Sequence, residues 1–498
     1  MAYDYDLTVI GASLAGIAAA QTAASQKARV ALVCQPHHLE DGGNTYESRW
    51  YTWVYERWLK LAQVYSADSA DLFFGDRWAE LAQQARRWAD QQLLANPIAQ
   101  LEQQGIDVII ETGEFQASPK LCFVTTRRQL RSRTYLLALG VEHVTQSEAL
   151  DRQQAGNLSQ ALASRDLTLQ DLLHPLGSVP QSLAIAAGSP QSLEIAQALA
   201  YQGHEVYLSG VQASQVGWQM LSTADPAMQR PLQTVLETSG VQVIPAALPE
   251  KVPNQALPQP DAWLDVNLSM IPVFKQLNLA VAGVQECRGR LPVNAYLQTT
   301  NPRIYACGPL LGGYDSSEIA RQEALIATQN ALYWPKLRIN YAQIPWVVHT
   351  NPPLASIGLT ESQAHQQVGE PIQILTGHFQ YQQSSGQQHQ AHRQNVDTGF
   401  YKLILDRSDH VLGGHILASE AANYLQPLAW ALQQQQQIST QWIMQHLAVP
   451  LSASADLPQQ LIQQLNTGVT TEQQANPKQQ RRLEYLEGFF NWRRTGQW

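Results

Sequence analysis

Two short stretches of the 498-residue chain have the spacing of a phosphate cradle. In the first, the apolar run Leu7-Thr8-Val9-Ile10 meets Gly11-Ala12-Ser13-Leu14-Ala15-Gly16, followed by an Ala-rich stretch from Ile17 to Ser25 and a second apolar run from Val30 to Val33. That order predicts strand, tight turn, helix and strand, with the helix N-terminus facing an anion held at the turn. Gly11 supplies the turn, and Gly16 lets helix pack closely on strand. Ser13 takes the middle glycine position, where its hydroxyl either bonds a phosphate or its side chain crowds one. In the second stretch, Leu183-Ala184-Ile185-Ala186 runs into Ala187-Gly188-Ser189-Pro190-Gln191-Ser192, a helix-like segment from Leu193 to Leu199, and Glu205-Val206-Tyr207-Leu208. Here the glycine positions hold Ala187, Ser189 and Ser192, and Pro190 removes one N–H donor from the cradle.

The four cysteines, Cys34, Cys122, Cys287 and Cys307, are scattered, and no two have CxxC or CxxxxC spacing. They read as buried structural thiols. At about 150 residues per domain the length predicts about three domains. An apolar content of 44% and a mean hydropathy of -0.25 fit a globular protein in water, and a net charge of -9 argues against nucleic acid as a partner. The N-terminus opens with Asp4 and Asp6, with no basic segment and no apolar stretch long enough to span a bilayer, which reads as cytoplasmic. The run Gln433 to Gln437 sits in a helix-like segment and reads as compositional bias.

Further along, the run from Tyr341 to Ala364, with His349-Thr350-Asn351-Pro352-Pro353 inside it, precedes Gly399–Ile404 and Val411–Leu417, which fit two antiparallel strands, and a helix from Ala421 to Leu432. With the two cradles, these segments resemble the pyridine nucleotide-disulfide oxidoreductase family (glutathione reductase, dihydrolipoyl dehydrogenase, mercuric reductase) from about residue 4 to about residue 460. The resemblance implies an α/β fold of two Rossmann-like dinucleotide-binding domains plus an α+β C-terminal dimerisation domain. Residues 1–150 and 281–338 would form the FAD-binding-like domain and 151–280 the NAD(P)-binding-like domain. Residues 339–460 would form a homodimer, and 461–498 extend beyond the family's pattern.

In the family, a hydride passes from NAD(P)H to flavin and on to a cysteine pair, and a His-Glu pair handles the protons. The resemblance places the cysteine positions on Thr45 and Trp50, which form no thiolate and store no electrons as a disulfide. It places the His-Glu positions on Val449 and Ser454, leaving no general acid-base group. The Gly-Arg-x-Pro segment reads Ser269-Met270-Ile271-Pro272, the Gly-Asp that closes on the ribityl chain reads Gly308-Pro309, and the ribose-binding acid falls on Cys34, with Gln35 beside it. Features kept for FAD are Gly11, Ser13, Leu14, Ala15 and Gly16, the pair Gly42-Gly43, Ala138-Leu139-Gly140, Gly308 and Gln35. FAD is therefore the candidate cofactor, NAD(P)H is not expected, and no metal ligands are expected.

Two segments lie outside the family's pattern. Trp50, Tyr51, Trp53, Tyr55 and Trp58 replace the cysteine-bearing helix; Tyr51, Tyr55 and Trp58 have the spacing of a buried helix face, and alternatively Trp50 and Trp53 fill or cover the flavin's disulfide side. The tail from Arg481 to Trp498 places Leu483, Leu486 and Phe490 on one face between arginines, and either docks on its own dimer or takes a protein partner or an anionic surface. The losses favour a catalytically degraded homologue acting as a dimeric pseudoenzyme or scaffold with a structural FAD. The alternative is an FAD-dependent NAD(P)H oxidoreductase acting on a non-disulfide acceptor.

Overall fold

A computed structural model of the chain describes residues 3–34, 97–117, 120–139, 141–143, 166–167, 172, 179–213, 217–221, 223–244, 260–264, 270–272, 274–287, 289–312, 317–368, 371–381, 397–447 and 457–467. Contacts divide the chain into two units, Met1–Leu221 with Leu236–Asn340, and Ser222–Val235 with Tyr341–Trp498. Domain boundaries expected from sequence assign 222–235 to the NAD(P)-like half, whereas its contacts lie in the C-terminal unit. The elements in chain order are β1 (Tyr5–Ile10), α1 (Leu14–Ser25), β2 (Val30–Cys34), β3 (Ile106–Ile110), β4 (Ser132–Leu137), β5 (Ser182–Ala186), α2 (Pro190–Tyr201), β6 (Glu205–Ser209), α3 (Pro226–Thr238), β7 (Val241–Ile244), β8 (Ala262–Leu264), β9 (Ile304–Ala306) and α4 (Ser317–Leu332). In the C-terminal unit follow β10 (Trp346–Val348), β11 (Leu354–Gly358), α5 (Glu361–Val368), β12 (Gln373–Tyr381), β13 (Asp397–Leu405), β14 (Val411–Leu417), α6 (Ala421–Gln433), α7 (Thr440–His446) and α8 (Leu457–Thr467).

The first unit carries two parallel sheets, β9-β4-β1-β2-β3 and β7-β6-β5-β8, the latter continued by Asp166–Leu167. All five residues of β2 are buried, as a parallel strand covered on both faces requires. Side chains of β1 alternate between two cores. Leu7 and Val9 pack with the alanines of α1 and α4, Ala19, Ala20, Ala23, Ala324, Ala327 and Ala331, whose small side chains let helix approach helix. Ile10 faces the other way, with Tyr135, Leu137 and Ile304, onto a small antiparallel sheet whose Phe115 meets Phe123 and Tyr135 edge-on at 5.1 and 5.3 Å.

The C-terminal unit is built on the antiparallel sheet β10-β11-β14-β13-β12. One face of that sheet, including Ala355, Ile357, Leu403 and Ile416, forms a core with Leu425, Leu428 and Leu432 of α6. Both antiparallel strands and the following helix expected from sequence are present. Two expectations are corrected. The glutamine run leaves the helix at Gln433, turns through Gln435 at φ 51°, and ends in a β-bridge from Gln437 to His410, so it is a helix exit and not helix interior. Of the cysteines, Cys34, Cys122 and Cys307 are buried, but Cys287 is exposed.

Candidate functional site

The two cradles share a topology and differ in what occupies their helix N-termini. In the first, Ile10 and Ala306 both lie opposite Leu137 in register, the Ala138 amide donates to the Ile10 carbonyl at 2.8 Å, and the Cys307 amide donates to the Leu137 carbonyl at 3.0 Å. Gly11, Ala138, Leu139 and Gly308 therefore converge at the carboxyl ends of three neighbouring strands. This is where the chain passes from β1 to β2 on one side while β4 and β9 lie on the other, the crevice in which open α/β sheets bind ligands. Gly11 has φ 108°, and a Cβ there would lie 2.5 Å from the Ala138 carbonyl oxygen. A Cβ on Gly16 would lie 2.1 Å from the Gly11 carbonyl oxygen. Both glycines are steric requirements of the turn.

Ser13 makes both of its hydroxyl bonds within the cradle. Its hydroxyl donates to the Ala138 carbonyl at 2.6 Å and accepts from the Gly16 amide at 3.2 Å, so it caps α1 and ties the turn to β4. The amides of Leu14 and Ala15, in the first turn of α1, have no acceptor among the described residues. They are open donors at the positive end of a twelve-residue helix.

Around that turn, two thiols and a carboxylate are buried. Burial pushes the Cys34 thiol up to about 12, so it stays a neutral thiol at neutral pH. Burial, and then the nearby Glu323, raise the Cys307 thiol well above its ordinary range. Glu323, 4% exposed on α4, accepts from the Gly308 amide at 2.6 Å and so fixes the turn that follows β9. Gln35, Gly42, Gly43, Thr45, Trp50, Gly140, Val449 and Ser454 lie outside the described residues, as do Tyr51 to Trp58 and the tail 481–498.

In the second cradle, side chains fill the same place. The Ser189 amide donates to Ser192 Oγ at 3.4 Å, the Ser192 amide donates to Ser189 Oγ at 3.3 Å, and Ser192 Oγ donates to the Ser189 carbonyl at 2.7 Å. Both serines are buried, and Pro190 at the first helical position brings no N–H. The reciprocal box satisfies the Ser189 and Ser192 amides internally. Gly188, at φ 127°, is the glycine the motif keeps. Sequence reasoning passed over Glu194, which is 4% exposed in α2 between Leu193 and Ile195; an acid flanked by core residues was the available signal.

A second polar cluster, also unmarked by sequence reasoning, lies within the C-terminal unit. Lys402, His415 and Ser356 are cross-strand neighbours, on the sheet face opposite the α6 core. Lys402 Nζ donates to Asp225 Oδ1 at 2.7 Å and to Glu361 Oε2 at 2.6 Å. Asp225 also accepts from the amides of Ala227 and Glu361, each at 2.9 Å, and so caps both α3 and α5. Burial raises the Asp225 carboxyl's pKa, but the bonds from Lys402 and the Glu361 amide and the charges of His415 and Lys402 outweigh it, leaving the net shift downward.

Burial pushes His415 down to about 4, against the pull of Asp225 and the Leu359 carbonyl and with the added push of Lys402. The folded form therefore stays neutral where the unfolded chain, at about 6.5, takes up a proton. Its contribution is complete above pH 6.5 and is lost as the pH falls toward 4, by up to about 3 kcal/mol. Urea melts across that range should show this slope, and His415→Gln should flatten it; an unchanged slope would refute the assignment.

His446, at the end of α7, stacks on Trp442 with centroids 4.8 Å apart, and its Nδ1 lies 3.0 Å from the Trp442 carbonyl oxygen. Among the described residues no helix is long and apolar enough to cross a membrane, and no group of His, Cys, Asp and Glu could hold a metal.

The family profile described as pyridine nucleotide-disulphide oxidoreductase matches residues 5–324, and that of the family's dimerisation domain matches residues 344–456. The chain is 26% identical to the mercuric reductase of Staphylococcus aureus over 453 residues, covering 86% of this chain and 77% of that one. With the dihydrolipoyl dehydrogenase of Bacillus subtilis it shares 28% identity over 219 residues, 41% of this chain and 45% of the relative, so less than half of that relative is spanned. The crystal structure of LpdA from Mycobacterium tuberculosis superposes with a TM-score of 0.67 at 20% identity, covering 93% of this chain and all of that one, a likeness of fold. On the match across both regions, the chain belongs to the pyridine nucleotide-disulphide oxidoreductase family.

Proposed function

We propose that the chain is a flavin-holding member of this family without disulfide reductase activity: a dimeric pseudoenzyme or scaffold whose FAD is structural. The observation that carries this reading is the contrast between the two cradles. The first keeps open amides at Leu14 and Ala15 and backbone contacts that exclude any Cβ at Gly11 and Gly16, which suits a pyrophosphate at the α1 terminus. In the second, Pro190 offers no N–H at the first helical position and the buried Ser192 side chain bonds back to Ser189, which argues against NAD(P)H there.

When bound, FAD supplies two-electron redox chemistry; the question is what this chain offers beside it. Thr45 and Trp50 offer no thiolate, and Val449 and Ser454 offer no proton carrier. Cys34 and Cys307 stay protonated at neutral pH because burial raises both. Ser13 and Glu323 hold the turns of the cradle rather than protons in transit. Dimerisation through 339–460 is supported by the match to the family's dimerisation domain over residues 344–456.

The test is the visible spectrum of the purified protein, followed by anaerobic NADH or NADPH. Flavin absorbance that dithionite bleaches and both nicotinamides leave intact is the expected result. Bleaching by either nicotinamide within a catalytic turnover time would instead support an FAD-dependent NAD(P)H oxidoreductase acting on a non-disulfide acceptor. A colourless protein that takes up no added FAD would remove the structural flavin.

A further inference from the structure

The loop after α4 displays large apolar side chains to solvent. In Tyr333-Trp334-Pro335-Lys336-Leu337-Arg338, Trp334 is 72% exposed, Tyr333 55% and Leu337 49%. This display is built by Asn330, buried on α4. Its Oδ1 accepts from the amides of Lys336 and Leu337 at 3.1 and 3.0 Å, and its Nδ2 donates to the carbonyls of Leu337 and Tyr296 at 2.8 and 3.0 Å. Three hydrogen bonds from one buried amide pin the loop backbone and a fourth ties it to Tyr296, so the loop is an ordered turn.

Cations surround the loop. Arg133 Nη2 donates to the Tyr333 carbonyl at 3.5 Å, and Arg303 donates to the carbonyls of Arg133 and Ser132 at 2.9 and 2.6 Å while lying 5.4 Å over the exposed ring of Tyr3. Arg338 lies 5.3 Å over Tyr296 and donates to its hydroxyl at 3.1 Å. None of Arg133, Arg303, Lys336 and Arg338 has an ion pair among the described residues. The acids near this end of β1 include Asp4, Asp6, which accepts from the Arg29 amide at 2.9 Å, and Asp107, which accepts from the Tyr5 hydroxyl and is paired with Arg128 at 2.9 Å. In a chain of net charge -9 this end is locally basic.

We propose that the 333–338 loop and its arginine rim form a peripheral docking surface for a bilayer bearing anionic phospholipid headgroups. Aromatic and leucine side chains on a projecting turn suit the boundary between headgroups and acyl chains, where the flanking cations meet lipid phosphates. A stable protein partner would need a face of about 800 Å² per side. Among the described residues the apolar exposure here is that of Tyr3 and three side chains of one loop, which favours the lipid surface.

The full chain should co-sediment with vesicles of mixed phosphatidylcholine and phosphatidylglycerol, bind phosphatidylcholine vesicles weakly, and release as salt rises. Trp334→Ala with Leu337→Ala should lower vesicle partitioning about tenfold or more, and Lys336→Gln with Arg338→Gln about tenfold. Both pairs should melt at the wild-type temperature, because Asn330 still holds the loop; Lys336→Gln alone serves if the arginine change alters the melt. Three results would overturn the proposal: no preference for anionic vesicles, binding untouched by both pairs but abolished by deleting 481–498, or a change of solution mass in the loop variants, which would make the occupant a second copy.

Discussion

Lys402→Met should destabilise the C-terminal unit by about 3–5 kcal/mol, although Lys402 lies on a dimerisation-domain strand and not in the cradle. At the size of that unit this corresponds to a fall in melting temperature on the order of 10 °C. Lys402 is buried, and the Asp225 side chain it meets is 0% exposed. Removing the ammonium would leave that carboxylate in a low-dielectric site with only backbone donors. The same carboxylate caps α3 and α5, so the cost extends to two helix starts. Asp225→Asn in the Lys402→Met background should recover much of the loss, because the amide oxygen still caps while the unpaired charge is gone.

The pH dependence supplies a second readout. In the wild type the Asp225 carboxyl is held below its ordinary 3.8, so its stabilisation is present above that pH and lost as the pH falls through the lower folded value. Without Lys402, burial acts with less opposition and raises the carboxyl. The gap between wild type and variant should therefore be widest near neutrality and narrow in acid. A single variant within about 1 kcal/mol of wild type at neutral pH would refute the account.

What the sequence revealed, and what it hid, follows from where the physical signal lies. The first cradle was legible because each part of it is local: a buried run, Gly11, Gly16 and an Ala-rich helix within about twenty residues. The same locality exposed the second cradle's departures at Ala187, Ser189, Pro190 and Ser192, though not that two serines would cap each other. Lys402 was illegible for the opposite reason. In Gly399–Ile404 the period-two pattern marks its side chain as facing away from the core, which reads as solvent. Its burial depends on Asp225, 177 positions earlier in the chain. Asp225-Pro226 is itself a helix-start signature, yet nothing local says the cap would serve two helices. Asn330 is hidden in the same way, as an ordinary polar residue near a helix end until the loop it pins is in place.

Gly11→Ala should abolish flavin retention and destabilise the first unit, and Gly16→Ala should do the same through a different clash. At Gly11 the backbone sits at φ 108°, a conformation costing about 1–3 kcal/mol for a residue with a Cβ, and the added carbon would lie 2.5 Å from a backbone oxygen with no room to yield. At Gly16 only the clash operates, but at 2.1 Å from the Gly11 oxygen it must push α1 away from β1, moving the Leu14 and Ala15 amides from where a pyrophosphate would meet them. Flavin-to-protein absorbance and the thermal melt read both effects. Ser13→Gly is the informative contrast, since it restores the family's middle glycine. Because the Ser13 hydroxyl is engaged by the Ala138 carbonyl and the Gly16 amide, the substitution should cost a few tenths of a kcal/mol in capping. Flavin affinity should stay within about threefold, well under the tenfold step of 1.4 kcal/mol. Tightening of tenfold or more in Ser13→Gly would mean that the serine does crowd the phosphate, and that the first cradle too departs from a nucleotide site.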